Sequence, residues 1–196
     1  MNLFIVADGP RDEATLPELV NRILPQDVHA EFSPWPRLHK VGTEPDYTRK
    51  LRYAIMQARK RLLHGVVAVV DRDSDRAHER RRALRNARQE ARHMGENLPC
   101  AIGVAVPHVD VWLLDDATAV CAALRLPEAT DIPSVRGDAD PKATLSGLIA
   151  VAELPNLPTL TEIASQVEPD RCMQRNRTGF AEFVEECIEE LANIAT

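Results

Sequence analysis

Cysteine, glycine and aromatic residues are all scarce in this chain of 196 residues, which holds four Cys, eight Gly, two Trp, two Tyr and four Phe. Cys100, Cys121, Cys172 and Cys187 stand far apart, with no Cys-x-x-Cys pair. That spacing argues against a zinc finger or a disulfide framework and predicts buried thiols. The few glycines follow no repeat, which excludes a collagen-like chain. No apolar run approaches the roughly 20 residues that a bilayer span needs, the longest lying around 65–70. Met1 to Val6 carries neither a basic segment nor a small-residue cleavage site, so a cytoplasmic location and no membrane partner are expected. A Gly-x-x-x-x-Gly-Lys-Ser/Thr loop is missing, so the chain is not expected to hydrolyse ATP alone. Without His-Glu-x-x-His or Gly-x-Ser-x-Gly, zinc proteolysis and serine hydrolysis are not signalled either.

What is present reads as an ordinary soluble domain, with 44% hydrophobic and 28% charged residues. Short branched apolar runs at 3–7, 65–70 and 101–106, with a weaker one at 28–32, predict strands. Between them, helical spacing predicts helices over 13–24, 46–63 and 75–94, then short helices to 114 and over 117–124. This alternation points to an α/β fold with a parallel sheet covered by helices. The run at 65–70 is apolar throughout, as in a strand buried on both faces. Residues 127–141 read as a loop, followed by helices over 143–152, 159–167 and 179–195. The chain therefore divides into an α/β domain at 1–126 and a helical C-terminal extension at 127–196, packed on it. The last helix carries an apolar stripe of Phe180, Phe183, Val184, Cys187, Ile188, Leu191 and Ile194. Its glutamates, away from that stripe, read as a solvated face.

The net charge of −6 conceals a division. Between Tyr47 and His93 stand 14 basic and 5 acidic residues, whereas the remainder carries 10 basic and 25 acidic. Arg81, Arg85, Arg88 and Arg92 recur at helical spacing and predict a ridge on one face, widened by Arg80 and Arg82. Phosphate contact and a solvated face are both open for that ridge, and so is docking onto an acidic partner. No aromatic residues interleave with the arginines, so base stacking is not signalled. Trp35 and Trp112 read as core or interface residues.

Ligands of open parallel sheets gather outside the carboxyl ends of the strands. Asp8 follows the first strand, and Asp71 and Asp73 follow the most hydrophobic one. Neighbouring parallel strands lie about 4.8 Å apart, so these carboxylates can share one hard cation, for which Mg2+ or Mn2+ is suited. Asp73 and Asp75 serve equally well as caps of the following helix.

The turn Asp8-Gly9-Pro10-Arg11-Asp12, the triplet Asp71-Arg72-Asp73, the segment Asp110-Val111-Trp112-Leu113-Leu114 and the late Asp140-Pro141-Lys142 come in an order that resembles the topoisomerase-primase (TOPRIM) domain. The likeness extends to its standalone relatives and to the TOPRIM half of overcoming-lysogenization-defect nucleases. It covers residues 3 to about 145. The resemblance implies a Rossmann-like sheet and a magnesium-dependent nuclease acting on DNA or RNA. It also implies an ABC-type ATPase partner, in antiphage defence or DNA repair. Asp8, Asp71 and Asp73 would hold the metal, and Lys142 or Arg11 would neutralise a phosphate oxygen. Arg72 and the ridge Arg81, Arg85, Arg88 and Arg92 would contact nucleic acid. Glu13, Asp75 and Asp110 are additional acids, and His78, His93 and His108 are candidate proton carriers that no partner singles out. Asp8 and Asp110 stand where the family has Glu, each one methylene shorter. That departure leaves a second reading, a catalytically silent subunit that binds nucleic acid or a partner protein.

Overall fold

Four short segments, β1 (Asn2–Ala7), β2 (His29–Pro34), β3 (Gly65–Asp71) and β4 (Cys100–Ala105), pair into one parallel sheet of order β2-β1-β3-β4. In the computed structural model, residues 1–37, 46–72, 77–127, 130–132, 140–173 and 178–194 are described. Helices α1 (Pro10–Ile23), α2 (Asp46–Lys60) and α3 (Ala77–His93) make the crossovers that parallel pairing requires. After β4 follow α4 (Asp110–Leu114), α5 (Ala117–Ala123), α6 (Pro141–Val151), α7 (Asn156–Gln166), α8 (Pro169–Met173) and α9 (Phe180–Leu191). The alternation read from the sequence is thus an α/β fold with C-terminal helices.

Strand periodicity splits the interior into two cores. Leu3, Ile5, Val67, Val69 and Ala101 point to one side, where α1 and the helices from α4 to α9 cover them. Phe4, Val6, Val66, Ala68, Val70 and Ile102 point to the other, under α2 and α3. The C-terminal helices supply much of the first core: Leu145, Leu160, Ile163, Phe180, Phe183, Cys187 and Leu191 are fully buried there. Trp112 stacks on Phe183 with ring centroids 4.9 Å apart and donates its indole N–H to Thr178 O. All four cysteines are buried as thiols, and burial pushes the Cys100 thiol up to about 12.

Several elements depart from the sequence expectation: α1 begins three residues early, at Pro10, and the short α8 was not expected. β2 runs on through Ser33 and Pro34, because an edge strand uses its N–H groups toward one neighbour only. Trp35 N–H continues the pairing to Ala7 O at 2.8 Å. α7 starts three residues early, with Pro158 in its first turn, where the missing N–H has no intrahelical acceptor to lose.

Candidate metal and nucleic-acid site

The sheet order reverses direction at β1, whose neighbours β2 and β3 are reached by crossovers on opposite faces. The carboxyl ends of β1 and β3 therefore open a crevice at the switch point, and both end in acids. Asp8 follows β1 and is exposed, while Asp71 closes β3 and is half-buried. Asp71 N–H donates to Asp8 Oδ2 at 3.3 Å, which places the two residues side by side.

A third acid lies behind them. Asp12, at the third position of α1, accepts the backbone N–H groups of Asp8 and Gly9 through Oδ2, both at 3.0 Å. These bonds hold the turn that aims Asp8 and satisfy two donors at the helix start. Even so, burial, followed by repulsion from Asp71, raises the Asp12 carboxyl to about 7. Asp71 is likewise pushed up to about 6, by burial and then by the charge of Asp8. His108 and the Val109 N–H oppose that rise. His108 Nδ1 lies 3.2 Å from Asp71 Oδ2, and Val109 N–H donates to Oδ1 at 3.3 Å.

Sequence reasoning left Asp12 outside the site. In the sequence it looks like any acid favoured in a first helical turn, and only the close return of β3 reveals its charge coupling. His108 was one of three unranked histidines. Its position just beyond β4, the strand next to β3, was the available signal. Arg80 also reaches this corner: its guanidinium donates to Asp71 O and lies 5.4 Å from the Tyr47 ring centroid.

The donor set suits a hard dication, since hard carboxylate oxygens meet from two neighbouring strand ends. Mutual repulsion between Asp8, Asp12 and Asp71 is the charge that such an ion would relieve. Asp73 and Asp75, read as a metal ligand and an additional acid, lie outside the described residues. Among the described residues no group of three or more His, Cys, Asp or Glu stands in a metal-holding arrangement. Asp8 and Asp71 are thus the pair that the fold brings together.

Other candidates sit elsewhere. Asp110, in the first turn of α4, is buried and bound by the Arg11 guanidinium. Arg11 Nη1 also donates to Asn156 Oδ1 at 2.9 Å and Ser146 Oγ at 3.3 Å. These bonds tie α1 to α4, α6 and α7, so the Arg11 guanidinium and the Asp110 carboxylate are engaged in holding helices together. Glu13 is exposed in the first turn of α1. Lys142 is exposed in the first turn of α6, where Asp140 caps the helix through Lys142 N–H at 2.9 Å. The Asp-Pro-Lys segment is locally a helix start, with proline at its favoured first position. Arg72 donates its backbone N–H to Ala105 O and Pro107 O, closing the ends of β3 and β4.

The arginine ridge faces the glutamates of α9, with Arg88 half-buried and Arg85 and Arg92 still exposed. Arg81 pairs with Glu182, Arg85 and Arg88 with Glu186, Arg88 also with Glu190, and Arg92 with Glu190. Since α3 and α9 pack on opposite faces of β4, these pairs close over the free edge of the sheet. Arg88 Nη1 also donates to Cys100 O in that edge strand at 2.8 Å. Of the glutamates read as a solvated face, Glu185 and Glu189 are exposed, whereas Glu182, Glu186 and Glu190 are the ridge's partners. They are held there by Phe180, Phe183, Cys187 and Leu191 on the buried side of the same helix.

The described geometry defines an α/β protein with paired acids at the switch point of a parallel sheet. No family model, curated protein or solved structure matches the chain. Among the described residues, no helix is long and apolar enough to cross a membrane.

Proposed function

We propose that the protein is a magnesium-dependent nuclease of TOPRIM type, hydrolysing phosphodiester bonds of DNA or RNA. One observation carries this reading: Asp8 and Asp71 stand side by side at adjoining strand ends, the Asp71 N–H donating to Asp8 Oδ2, and the charge of Asp8 helps to raise the Asp71 carboxyl. Asp8 and Asp71 would hold a magnesium ion, which when bound would supply polarisation of the scissile phosphate and acidify a water. Asp12 fixes the turn that orients Asp8. His108 lies with Nδ1 3.2 Å from the Asp71 carboxylate, and with the proton on Nδ1 its Nε2 would be the atom to accept one. Arg80, fixed on Asp71 O, sets a positive charge beside the strand end, where a phosphate oxygen would gain from it. The resemblance to defence and repair nucleases adds a partner ATPase and an antiphage or DNA-repair role.

The test is cleavage of single- and double-stranded DNA and RNA with Mg2+ or Mn2+, comparing the native chain with Asp71→Asn and Asp8→Asn. Metal-dependent cutting that each variant lowers by about a hundredfold or more supports the reading. Cutting that is indifferent to both variants removes it. A second reading, the catalytically silent subunit, draws support from Asp8, which stands one methylene short of the family's Glu. Nucleic-acid or protein binding without hydrolysis in any metal would favour that reading.

A further inference from the structure

A cavity of about 610 Å³ lies beside Asp8, between α2 and the end of β2. It exists because α2 and α3 pack over β1, β3 and β4 on this face, leaving the edge strand β2 uncovered there. Phe4 of β1, Trp35 just after β2 and Tyr53 of α2 line its wall, the first two as buried rings and Tyr53 as the open one. Trp35 is held rigidly, its Nε1–H donating to Val69 O at 2.9 Å and its ring meeting Tyr47 edge-on. Tyr53 is 40% exposed, so part of its ring stands open to a ligand. Gln57, one helical turn further along α2, contributes an amide that both donates and accepts, and Ser33 contributes a hydroxyl. Arg61 closes the far end, paired with Glu31 at 2.9 Å and lying over the Phe4 ring.

Rings beside a two-way hydrogen-bonding amide form a receptor for a flat heteroaromatic group. Asp8 lines the same cavity, so that group would be tethered to whatever lies at the paired acids. We infer that the cavity receives an unpaired nucleobase whose own phosphate sits at the Asp8–Asp71 pair. The inference rests on the nucleic-acid reading of that pair and narrows the substrate to single strands or frayed ends, because a paired base hides the edge that Gln57 and Ser33 would read.

Isothermal titration calorimetry in magnesium tests this, with deoxynucleoside 5′-monophosphates and 2-deoxyribose 5-phosphate as probes. The variants are Tyr53→Ala, Tyr53→Phe and Gln57→Ala. Monophosphates contain no diester, so the readout is independent of hydrolysis. The nucleotides are expected to bind at least about tenfold more tightly than the sugar phosphate, Tyr53→Ala to weaken them about tenfold, and Tyr53→Phe to restore them. Equal binding of nucleotide and sugar phosphate overturns the inference, as does a Tyr53→Ala variant that binds like the native chain. Absence of nucleotide binding overturns it too. Nucleotide binding without metal-dependent cleavage keeps the cavity and removes the nuclease. Cleavage without any dependence on the base keeps the nuclease and removes the cavity.

Discussion

Asp12 couples the site to the stability of the fold. Its carboxyl is raised from the ordinary 3.8 to about 7 in the folded chain, so the folded state holds that proton more tightly than the unfolded one. Its contribution to stability is then greatest below about pH 4 and declines as pH rises through about 7. Asp71, raised to about 6, acts in the same direction. The metal-free protein is expected to melt at a lower temperature at pH 8 than at pH 5. Asp12→Asn keeps an acceptor for the Asp8 and Gly9 N–H groups without the charge. It is expected to flatten the pH profile and to raise Tm at pH 8 by about 3 °C or more. A thermal melt series settles this, and a native profile flat from pH 5 to 8 would contradict it. Adding magnesium at pH 8 should produce a rise in the native chain that Asp71→Asn loses. Asp8 and Asp71 were legible in the sequence because apolar runs stop abruptly at each. Asp12 was not, since its burial depends on β3 returning beside β1 about 60 residues later in the chain.

The pairing of α3 with α9 shows where periodicity informs and where it stops. The spacing of Arg81, Arg85, Arg88 and Arg92 correctly places four cations on one helical face. Glu182, Glu186 and Glu190 repeat at a matching spacing of four, yet nothing local says that helices about a hundred residues apart meet. The pairs differ in worth. Glu186 is buried and serves Arg85 and the half-buried Arg88, so Glu186→Ala is expected to cost about 3 kcal/mol, the lower end for broken buried pairs. Arg92→Ala, at the exposed end, should cost under about 1 kcal/mol. Urea titration of both variants tests the order, and equal losses would refute it. Gly179 leads into α9 with φ +82°, and a Cβ there would stand 2.1 Å from Val104 O. Gly179→Ala is accordingly expected to destabilise by more than about 2 kcal/mol, through strain and collision together.

At the scale of the whole molecule, the C-terminal helices belong to the sheet's own core. Phe180, Phe183, Cys187 and Leu191 share an interior with Leu3, Val67 and Ala101. The apolar stripe of α9 was readable from its spacing, but its destination was not, because burial sites lie in β3 and β4 rather than in neighbouring sequence. A chain ending at residue 178 is expected to lose cooperative unfolding, seen as a broad melt and strong binding of a hydrophobic dye. The closed Arg–Glu face carries a further consequence, for encounters with polyanions. Cations already matched by carboxylates release few counterions from a nucleic acid. The logarithm of affinity should therefore fall with that of salt at a slope shallower than about −3, whereas four arginines all on phosphates would give about −3.6 on a duplex. On this surface a change of ionic strength is a weak lever, and capture of a strand falls to short-range contacts around the crevice.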